Sequence, residues 1–263
     1  MSDFVMTRWP VERFTEEGAE STTLAIAEET PISFVYNSVP YAVMMGTLQD
    51  LEDYAYGFSI TERLVSNAAS IRAVRTEIGE DGVTLSLDIA GEDFRRLLQS
   101  RRAMTGRTGC GVCGSEDLKS LHTALPPVPA MPPVALSAIR HAVNTLANYQ
   151  TLNAQVHMVH GAAWCGADGN IHMIREDVGR HNALDKLIGA GLRQNVCFAE
   201  GFCLITSRCS FEMVQKAILA GFSTLVAISA PTTRALRLAQ EAGLTIVALA
   251  RRSSQHLFTG SVG

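Results

Sequence analysis

No run of apolar residues in this 263-residue chain reaches the ~20 that carry a helix across a bilayer. Its longest apolar runs have the length of a buried strand or helix. The first residues, Met1-Ser2-Asp3-Phe4, open no apolar stretch of signal-peptide length, so the chain reads as cytoplasmic. An excess of charge is missing too. With 22 basic and 26 acidic residues the formal net charge is −4, so the whole molecule is no electrostatic binder of nucleic acid. Any basic function must be local. Nor is there a disulfide framework: 6 cysteines without a secretory signal read as free thiols in a reducing cytosol. A second Cys-x-x-Cys is absent and the nearest histidine is His122, so a structural zinc site lacks its further ligands. No internal repeat and no low-complexity tract appears beyond one proline cluster.

What is present begins with size. An apolar fraction of 47% over this length can bury a sizeable core without disulfide staples, as one large domain or two smaller ones. The most informative segment is Thr108-Gly109-Cys110-Gly111-Val112-Cys113-Gly114-Ser115. Two thiols, Cys110 and Cys113, sit among glycines that bend freely and block nothing. Arg95, Arg96, Arg101, Arg102 and Arg107 lie just upstream. A cationic field favours thiolate, the reactive form. A thioredoxin-like redox motif would open a helix beside a βαβ unit. The glycine flanks and the prolines downstream argue against that.

Periodicity predicts strands at Thr22–Ile26, Ile32–Tyr36 and Tyr41–Met45, with a turn at Asn37-Ser38-Val39-Pro40. A short helix is expected over 48–58. A second hairpin is expected at Ile71–Ile78 and Val83–Ile89, followed by a helix over Glu92–Ala103. Pro126, Pro127, Pro129, Pro132 and Pro133 mark a linker, because proline fixes φ and donates no hydrogen bond. The expected organisation is therefore a strand-rich domain over 1–124, a linker over 125–133 and an α/β domain over 134–263.

In that last part a helix is expected over 134–149. Strands over Val156–Cys165 and Ile171–Arg175 flank the turn Gly166-Ala167-Asp168-Gly169. A helix over Val178–Leu192, a strand over Gly201–Thr206 and a helix over Ser210–Ala220 follow. The rest is a strand over Ser223–Ser229, a helix over Pro231–Ala242 with proline in its first turn, and a last strand over Leu244–Ala250. Buried strands alternating with helices imply a sheet covered on both faces. The order α-β-β-α-β-α-β-α-β is that of a cytidine-deaminase-like, three-layer fold, an analogy that carries no function by itself.

Zinc-dependent deamination needs His-x-Glu and Pro-Cys-x-x-Cys at two helix starts. At those places stand His181-Asn182-Ala183 and Ser207-Arg208-Cys209-Ser210-Phe211-Glu212. The acid, the proline and the second cysteine are missing, so three ligands cannot be assembled and no catalytic metal is expected. The helix starts still suit phosphate, since each presents free N–H groups and an arginine, Arg180 or Arg208. Asp177 and Ser210 could equally be plain N-caps. Cys165 and Cys203 read as small buried hydrophobes, and Cys197 as a loop residue. Cys209, at a helix start, is the one spare reactive candidate, although an inert structural thiol is the favoured reading there. His160 and His172 read as ordinary sheet histidines.

Three motifs together resemble the FdhD family, the formate dehydrogenase accessory sulfurtransferases. They are Arg107–Gly114, Glu176-Asp177-Val178-Gly179-Arg180-His181-Asn182-Ala183-Leu184-Asp185-Lys186, and Ser210-Phe211-Glu212-Met213-Val214-Gln215-Lys216. The resemblance runs from about Pro31 to Leu249. It implies that sulfur is taken from a cysteine desulfurase as a cysteine persulfide. The sulfur then passes to the molybdenum cofactor, Mo-bis(molybdopterin guanine dinucleotide), for a formate dehydrogenase catalytic subunit. It places the persulfide on Cys110. Cys113 would either expel sulfide, leaving a disulfide, or shield the sulfur in transit. It assigns cofactor binding to the segment after the last strand, Leu249-Ala250-Arg251-Arg252-Ser253-Ser254, and favours a homodimer. Family members often carry a Pro-Gly-Arg-like stretch there and a tyrosine shortly after. This chain has Arg252-Ser253-Ser254 and then Phe258, so only the basic character is kept. Arg180 and His181 are the further expected cofactor contacts. The rival reading is a cofactor-binding chaperone without sulfur chemistry.

Overall fold

Alternating apolar residues set the first sheet. A computed structural model of the chain describes residues 5–105 and 125–263. In it β1 (Met6–Thr15) and β2 (Gly18–Ala27) pair as an antiparallel ribbon. β3 (Thr30–Tyr36), β4 (Val39–Gly46), β5 (Ile71–Gly79) and β6 (Gly82–Ile89) form a four-stranded sheet in the order β4-β3-β6-β5. Every second residue of β3 and β6 is buried: Ile32, Phe34 and Tyr36, with Val83, Leu85, Leu87 and Ile89. They pack beneath α1 (Leu51–Thr61), where Phe58 stacks on Phe34 with ring centroids 4.2 Å apart. α2 (Gly91–Thr105) adds Leu97 to the same core.

The β3–β4 turn is shorter than expected. Asn37 and Ser38 alone make it, at φ 46° and 68°, the paired positive values that match strand twist in a two-residue hairpin. Val39 and Pro40 already belong to β4, an edge strand that tolerates proline. β1 was missed because both faces of the ribbon are largely exposed, so no burial alternation marks it.

The second part contains α3 (Leu136–Thr145), α4 (Asn153–Val156), β7 (His160–Gly166), β8 (Ile171–Asp177) and α5 (Arg180–Arg193). β9 (Gly201–Ile205), α6 (Phe211–Ala220), β10 (Thr224–Ala227), α7 (Thr233–Ala242), β11 (Thr245–Ala248) and β12 (His256–Thr259) complete it. The six-stranded sheet has the order β12-β11-β10-β9-β7-β8. β9, β10 and β11 run parallel, β7 runs against both neighbours, and β12 runs against β11. One face packs on α5, α6 and α7 through Leu184, Leu187, Val214 and Ala235. The other packs on α3 through Ala138, Ile139 and Ala142. Burial on both faces explains why all of β9 is apolar. The chain is thus a mixed α/β protein with several sheets.

Several expected boundaries move. The helix predicted over 134–149 stops at Thr145 and ends in a single 3₁₀ turn. The strand predicted from Val156 starts at His160, because residues 153–156 make a helical turn closed by His157 at φ 54°. Pro231 lies ahead of α7 and not in its first turn. Thr232 is the N-cap, and its hydroxyl accepts from the Ala235 amide at 3.3 Å. The last strand is β12, not the one ending near Ala250. The proline stretch is docked along the body: Val128 N–H donates to Ala242 C=O at 2.9 Å, and Gly263 exchanges backbone bonds with Val134 and Leu136. Among the described residues no helix is long and apolar enough to cross a membrane.

α1 and α5 cross with backbone in contact. A Cβ on Gly57 would lie 1.7 Å from the Asp185 carbonyl oxygen, and one on Gly189 would lie 1.8 Å from that of Asp53. Only glycine permits so close an approach.

Candidate functional site

Cys110, Cys113 and Arg107 lie outside the described residues, as does His122. Arg101 and Arg102 fall within α2, but their side chains are not among those described. The remaining expected site residues share one edge of the six-stranded sheet. β8, β9, β10 and β11 end there, at Asp177, Ile205, Ala227 and Ala248, and β7 begins there at His160. In open α/β sheets ligands gather at this carboxyl edge. Arg180 and His181 follow β8, and the Leu249–Ser254 segment follows β11. The two lie four strand spacings apart, about 19 Å at ~4.8 Å per spacing.

Backbone hydrogen bonds stitch this edge together. Thr206 N–H donates to Gly161 C=O at 3.0 Å, and Gly161 N–H donates to the Thr206 hydroxyl at 2.9 Å. Cys209 N–H donates to Ala230 C=O, and Thr232 N–H to Cys209 C=O, each at 3.1 Å. Leu249 N–H donates to Ser229 C=O at 3.1 Å, which holds Leu249 at the left-handed φ of 49°. Arg251 N–H donates to Ser254 C=O at 2.7 Å. Gln255 braces the turn, donating to Arg251 C=O at 2.7 Å and accepting from Arg140 at 3.0 Å. The segment is therefore a tight loop between two strands, not a tail after the last one. Arg251, Arg252, Ser253 and Ser254 are all exposed on it.

Charge is sharply sorted along the edge. The loops and helix starts at 178–182, 206–212, 228–234 and 249–255 carry 5 arginines, Arg180, Arg208, Arg234, Arg251 and Arg252, and 1 acid, Glu212. The chain as a whole is acidic, with net charge −4. Arg234 was not expected. It stacks over the Phe211 ring at 4.7 Å. The sequence signal was available: each of β8, β9 and β10 is followed by an arginine near the start of the next helix.

The long motif from Glu176 to Lys186 splits by direction. Glu176 accepts from the amides of Leu152 and Asn153 at 2.8 and 2.9 Å. Asp177 is buried and is no N-cap; Gly179 holds that place. One Asp177 oxygen accepts from Gly179 N–H at 2.7 Å and from the Asn182 amide at 2.9 Å. The other accepts from Thr47 N–H, from the Thr47 hydroxyl and from Lys186 Nζ, at 3.0, 2.8 and 2.6 Å. Asn182 also accepts from the Tyr54 hydroxyl at 2.7 Å. Burial pushes that phenol up, so Tyr54 stays a donor. These residues clamp the first sheet and α1 to α5. Only Arg180 and His181 face the edge.

The Ser210–Lys216 motif meets the same helix twice. Lys216 Nζ donates to Asp185 at 2.9 Å, to the Thr61 hydroxyl at 2.8 Å and to Glu62 at 3.0 Å. Burial pulls Lys216 down, but Asp185 and Glu62 carry it above the ordinary lysine range. One turn earlier Glu212 Oε2 lies 2.7 Å from His181 Nε2, a contact that holds the carboxyl below its ordinary range. Ser210 stands at the N-cap of α6, yet its side chain caps nothing.

Of the two readings of Cys209, reactive thiol at a helix start or inert buried residue, the structure supports the second. The side chain is fully buried, and burial pushes its thiol up to about 12, so the helix start does not activate it. Cys165 and Cys203 are buried with thiols pushed up in the same way, and Cys197 is exposed. His172 is exposed beside Trp164, with ring centroids 5.2 Å apart. His160 is half-buried. Burial, then Arg180 and Arg208, lower its pKa. Among the described residues no three His, Cys, Asp or Glu side chains converge to hold a metal ion. A cavity of about 470 Å³ lies at the opposite edge, between Pro127–Pro133 and the starts of β10 and β11, away from these arginines.

The family model described as the FdhD/NarQ family matches residues 27–262. A protein of Xanthomonas euvesicatoria pv. vesicatoria named sulfur carrier protein FdhD is 45% identical over 236 residues, 89% of this chain and 84% of its own. Proteins of the same name from Variovorax paradoxus and Bordetella petrii are 43% and 41% identical, covering 89% and 92% of this chain and 84% and 87% of their own. A crystal structure from Desulfotalea psychrophila, of a chain proposed to be a formate dehydrogenase accessory protein, is similar in fold. Its TM-score is 0.77 at 21% identity, and 97% of each chain is covered.

Proposed function

The chain belongs to the FdhD/NarQ family, and we propose that it serves formate dehydrogenase maturation as a sulfur carrier. The carrier thiol is Cys110, in the motif Gly109-Cys110-Gly111-Val112-Cys113-Gly114. A thiolate at Cys110 attacks the outer sulfur of a cysteine desulfurase persulfide. The donor S–S bond breaks, the desulfurase leaves as thiolate, and Cys110 holds the sulfur as a persulfide. Cys113 then attacks the inner sulfur. A Cys110–Cys113 disulfide forms, the outer sulfur leaves as hydrosulfide, and the dithiol has supplied both electrons. A thiol reductant resets the pair.

The acceptor is Mo-bis(molybdopterin guanine dinucleotide), bound as cargo along the carboxyl edge. The observation that carries this half is the sorting of 5 arginines against 1 acid in the loops and helix starts of that edge of an acidic chain, where Asp177 at the end of β8 is already paired with Lys186. Arginine forks match phosphate oxygens, and helix starts add free N–H groups. An edge of about 19 Å suits a ligand with pyrophosphate groups. Arg251, Arg252, Ser253 and Ser254 would take one end and Arg180 and His181 the other, with Leu249 and Ala250 shaping the loop. The sheet order supports reading 134–263 as a cytidine-deaminase-like unit that has lost its metal ligands, joined by 125–133 to the strand-rich 1–124. The reaction belongs among cytoplasmic thiols, in a homodimer that meets the desulfurase and the dehydrogenase catalytic subunit in turn.

The test is peptide mass spectrometry after incubation with a cysteine desulfurase and cysteine. The expected result is one added sulfur on the Cys110 peptide, removed by reductant and absent in Cys110→Ala. No added sulfur, with guanosine diphosphate still bound, would leave a cofactor chaperone without sulfur chemistry.

A further inference from the structure

Three buried side-chain donors at the carboxyl edge have no hydrogen-bond partner among the described residues: Gln150 Nε2, Arg180 Nε and Ser210 Oγ. They come from three parts of the chain: Gln150 lies against Gly161 in β7, Arg180 opens α5 and Ser210 stands at the N-cap of α6. Gln150 is only 8% exposed, and its amide nitrogen lies 3.1 Å from the point where a Cβ on Gly161 would stand. Gly161 follows His160 and is bonded both ways to Thr206, which leads into Arg208 and Ser210. Arg180 opens α5 on the other side. Native structures seldom leave buried donors unpaired, so three in one place point to a missing acceptor.

The surrounding charge says what kind. Arg180 and His181 face His160 from α5, Arg208 faces it from the loop before α6, and Asp177 faces it from the end of β8. Asp177 is already taken up by Thr47, Gly179, Asn182 and Lys186. Glu212 is turned to His181. Cations are thus in excess around His160, which excludes a metal ion and favours an anion. Donors gathered about His160 and Gly161 from Gln150, Arg180 and Arg208, with the Ser210 hydroxyl at the start of α6, are too many for a planar carboxylate and suit a tetrahedral oxyanion.

We propose that the start of β7, between the starts of α5 and α6, is a second phosphate-ester subsite, separate from the Leu249–Ser254 loop. It lies three strand spacings from that loop, about 14 Å. The proposal rests on the reading that this edge receives an anionic ligand, and it adds where a second phosphate group of that ligand sits. A bound phosphate also reverses the field on His160 and so favours its protonated form.

The experiment titrates the full chain with inorganic pyrophosphate at constant ionic strength. Binding is followed by calorimetry, and the histidine rings by long-range ¹H–¹⁵N spectra, with His160→Asn assigning the signal. Saturating pyrophosphate should raise the His160 midpoint by about one pH unit. Arg208→Gln, an exposed change that leaves the core untouched, should weaken binding about tenfold. Arg251→Ala with Arg252→Ala should leave the His160 shift in place. If the loop variant abolishes binding while Arg208→Gln and His160 stay silent, the subsite is overturned and the cofactor reading stands. If the wild-type chain binds neither pyrophosphate nor guanosine diphosphate, both fall together.

Discussion

Replacing Gly189 by alanine should destabilise this protein, although alanine is the better helix former by about 1 kcal/mol. Propensity and packing therefore predict opposite signs. The new Cβ would lie 1.8 Å from the Asp53 carbonyl oxygen, which is backbone and cannot swing away. Ordinary contact needs ~3.5 Å, so α1 and α5 must part by about 1.5 Å or more. Parting them strains the Arg193–Asp53 and Arg193–Glu52 ion pairs, which span the same junction. Overpacking of this kind costs about 3 kcal/mol, which lowers the melting temperature by about 6–12 °C in a chain of this size. Gly57→Ala should behave alike, since its Cβ meets the Asp185 carbonyl oxygen at 1.7 Å. The double variant should cost less than the sum, because one substitution opens the gap that the other needs. Gly91→Ala is the control, with nothing among the described residues within 4 Å of its Cβ. Thermal melts by circular dichroism would decide the matter. A Gly189→Ala protein melting at or above the wild-type temperature would refute the backbone contact.

Lys216→Met should cost about 3–5 kcal/mol in denaturant unfolding, because it leaves Asp185 buried without its cation; adding Asp185→Leu should recover much of that loss. In a Cys110→Ser, Cys113→Ser background, Ellman's reagent should titrate Cys197 at once and reach Cys165, Cys203 and Cys209 only on unfolding. Fast modification of Cys209 would contradict its burial. His160 has a folded pKa below its unfolded value of about 6.5. The unfolded chain therefore binds the proton first, and stability should fall as pH drops from about 6.5 towards the folded pKa. His160→Asn should flatten that part of the pH profile, and an unchanged slope would remove His160 as its source.

Local chemistry made much of the fold legible. The alternation Leu85, Leu87, Ile89, the turn at Gly166–Gly169 and the cap at Gly243 each act within a few residues, and the elements they mark are present. What stayed hidden depends on distant partners. β12 is four residues long and mostly exposed, and only pairing with β11 makes it a strand. Pro10 and the exposed faces of β1 removed the usual strand signal. The site was half legible. Arg180, Arg208, Arg251 and Arg252 could be named from strand-to-helix transitions and from family resemblance, but their shared edge required the sheet order. Asp177, Asp185, Lys186 and Lys216 look like surface charges in sequence. They are buried because Thr47 and Thr61, more than 120 residues away in the chain, supply or receive their hydrogen bonds. Gly57 and Gly189, each inside a helix, were the available hint that two backbones touch.

The carboxylate of Asp177 has one oxygen turned to the start of α5 and the other to Thr47 and Lys186. Heredity therefore cannot treat the two parts of this chain as exchangeable cassettes. A recombination event between diverged relatives, crossing over anywhere between Thr105 and Leu136, would join one ancestor's α1 to another's α5. Its product keeps the arginine edge in shape only if the residues at 47, 57, 177 and 189 arrive as a compatible set. Drift at any one of them is answerable to the others, so lineages of this fold should diverge as whole chains and not by swapping halves.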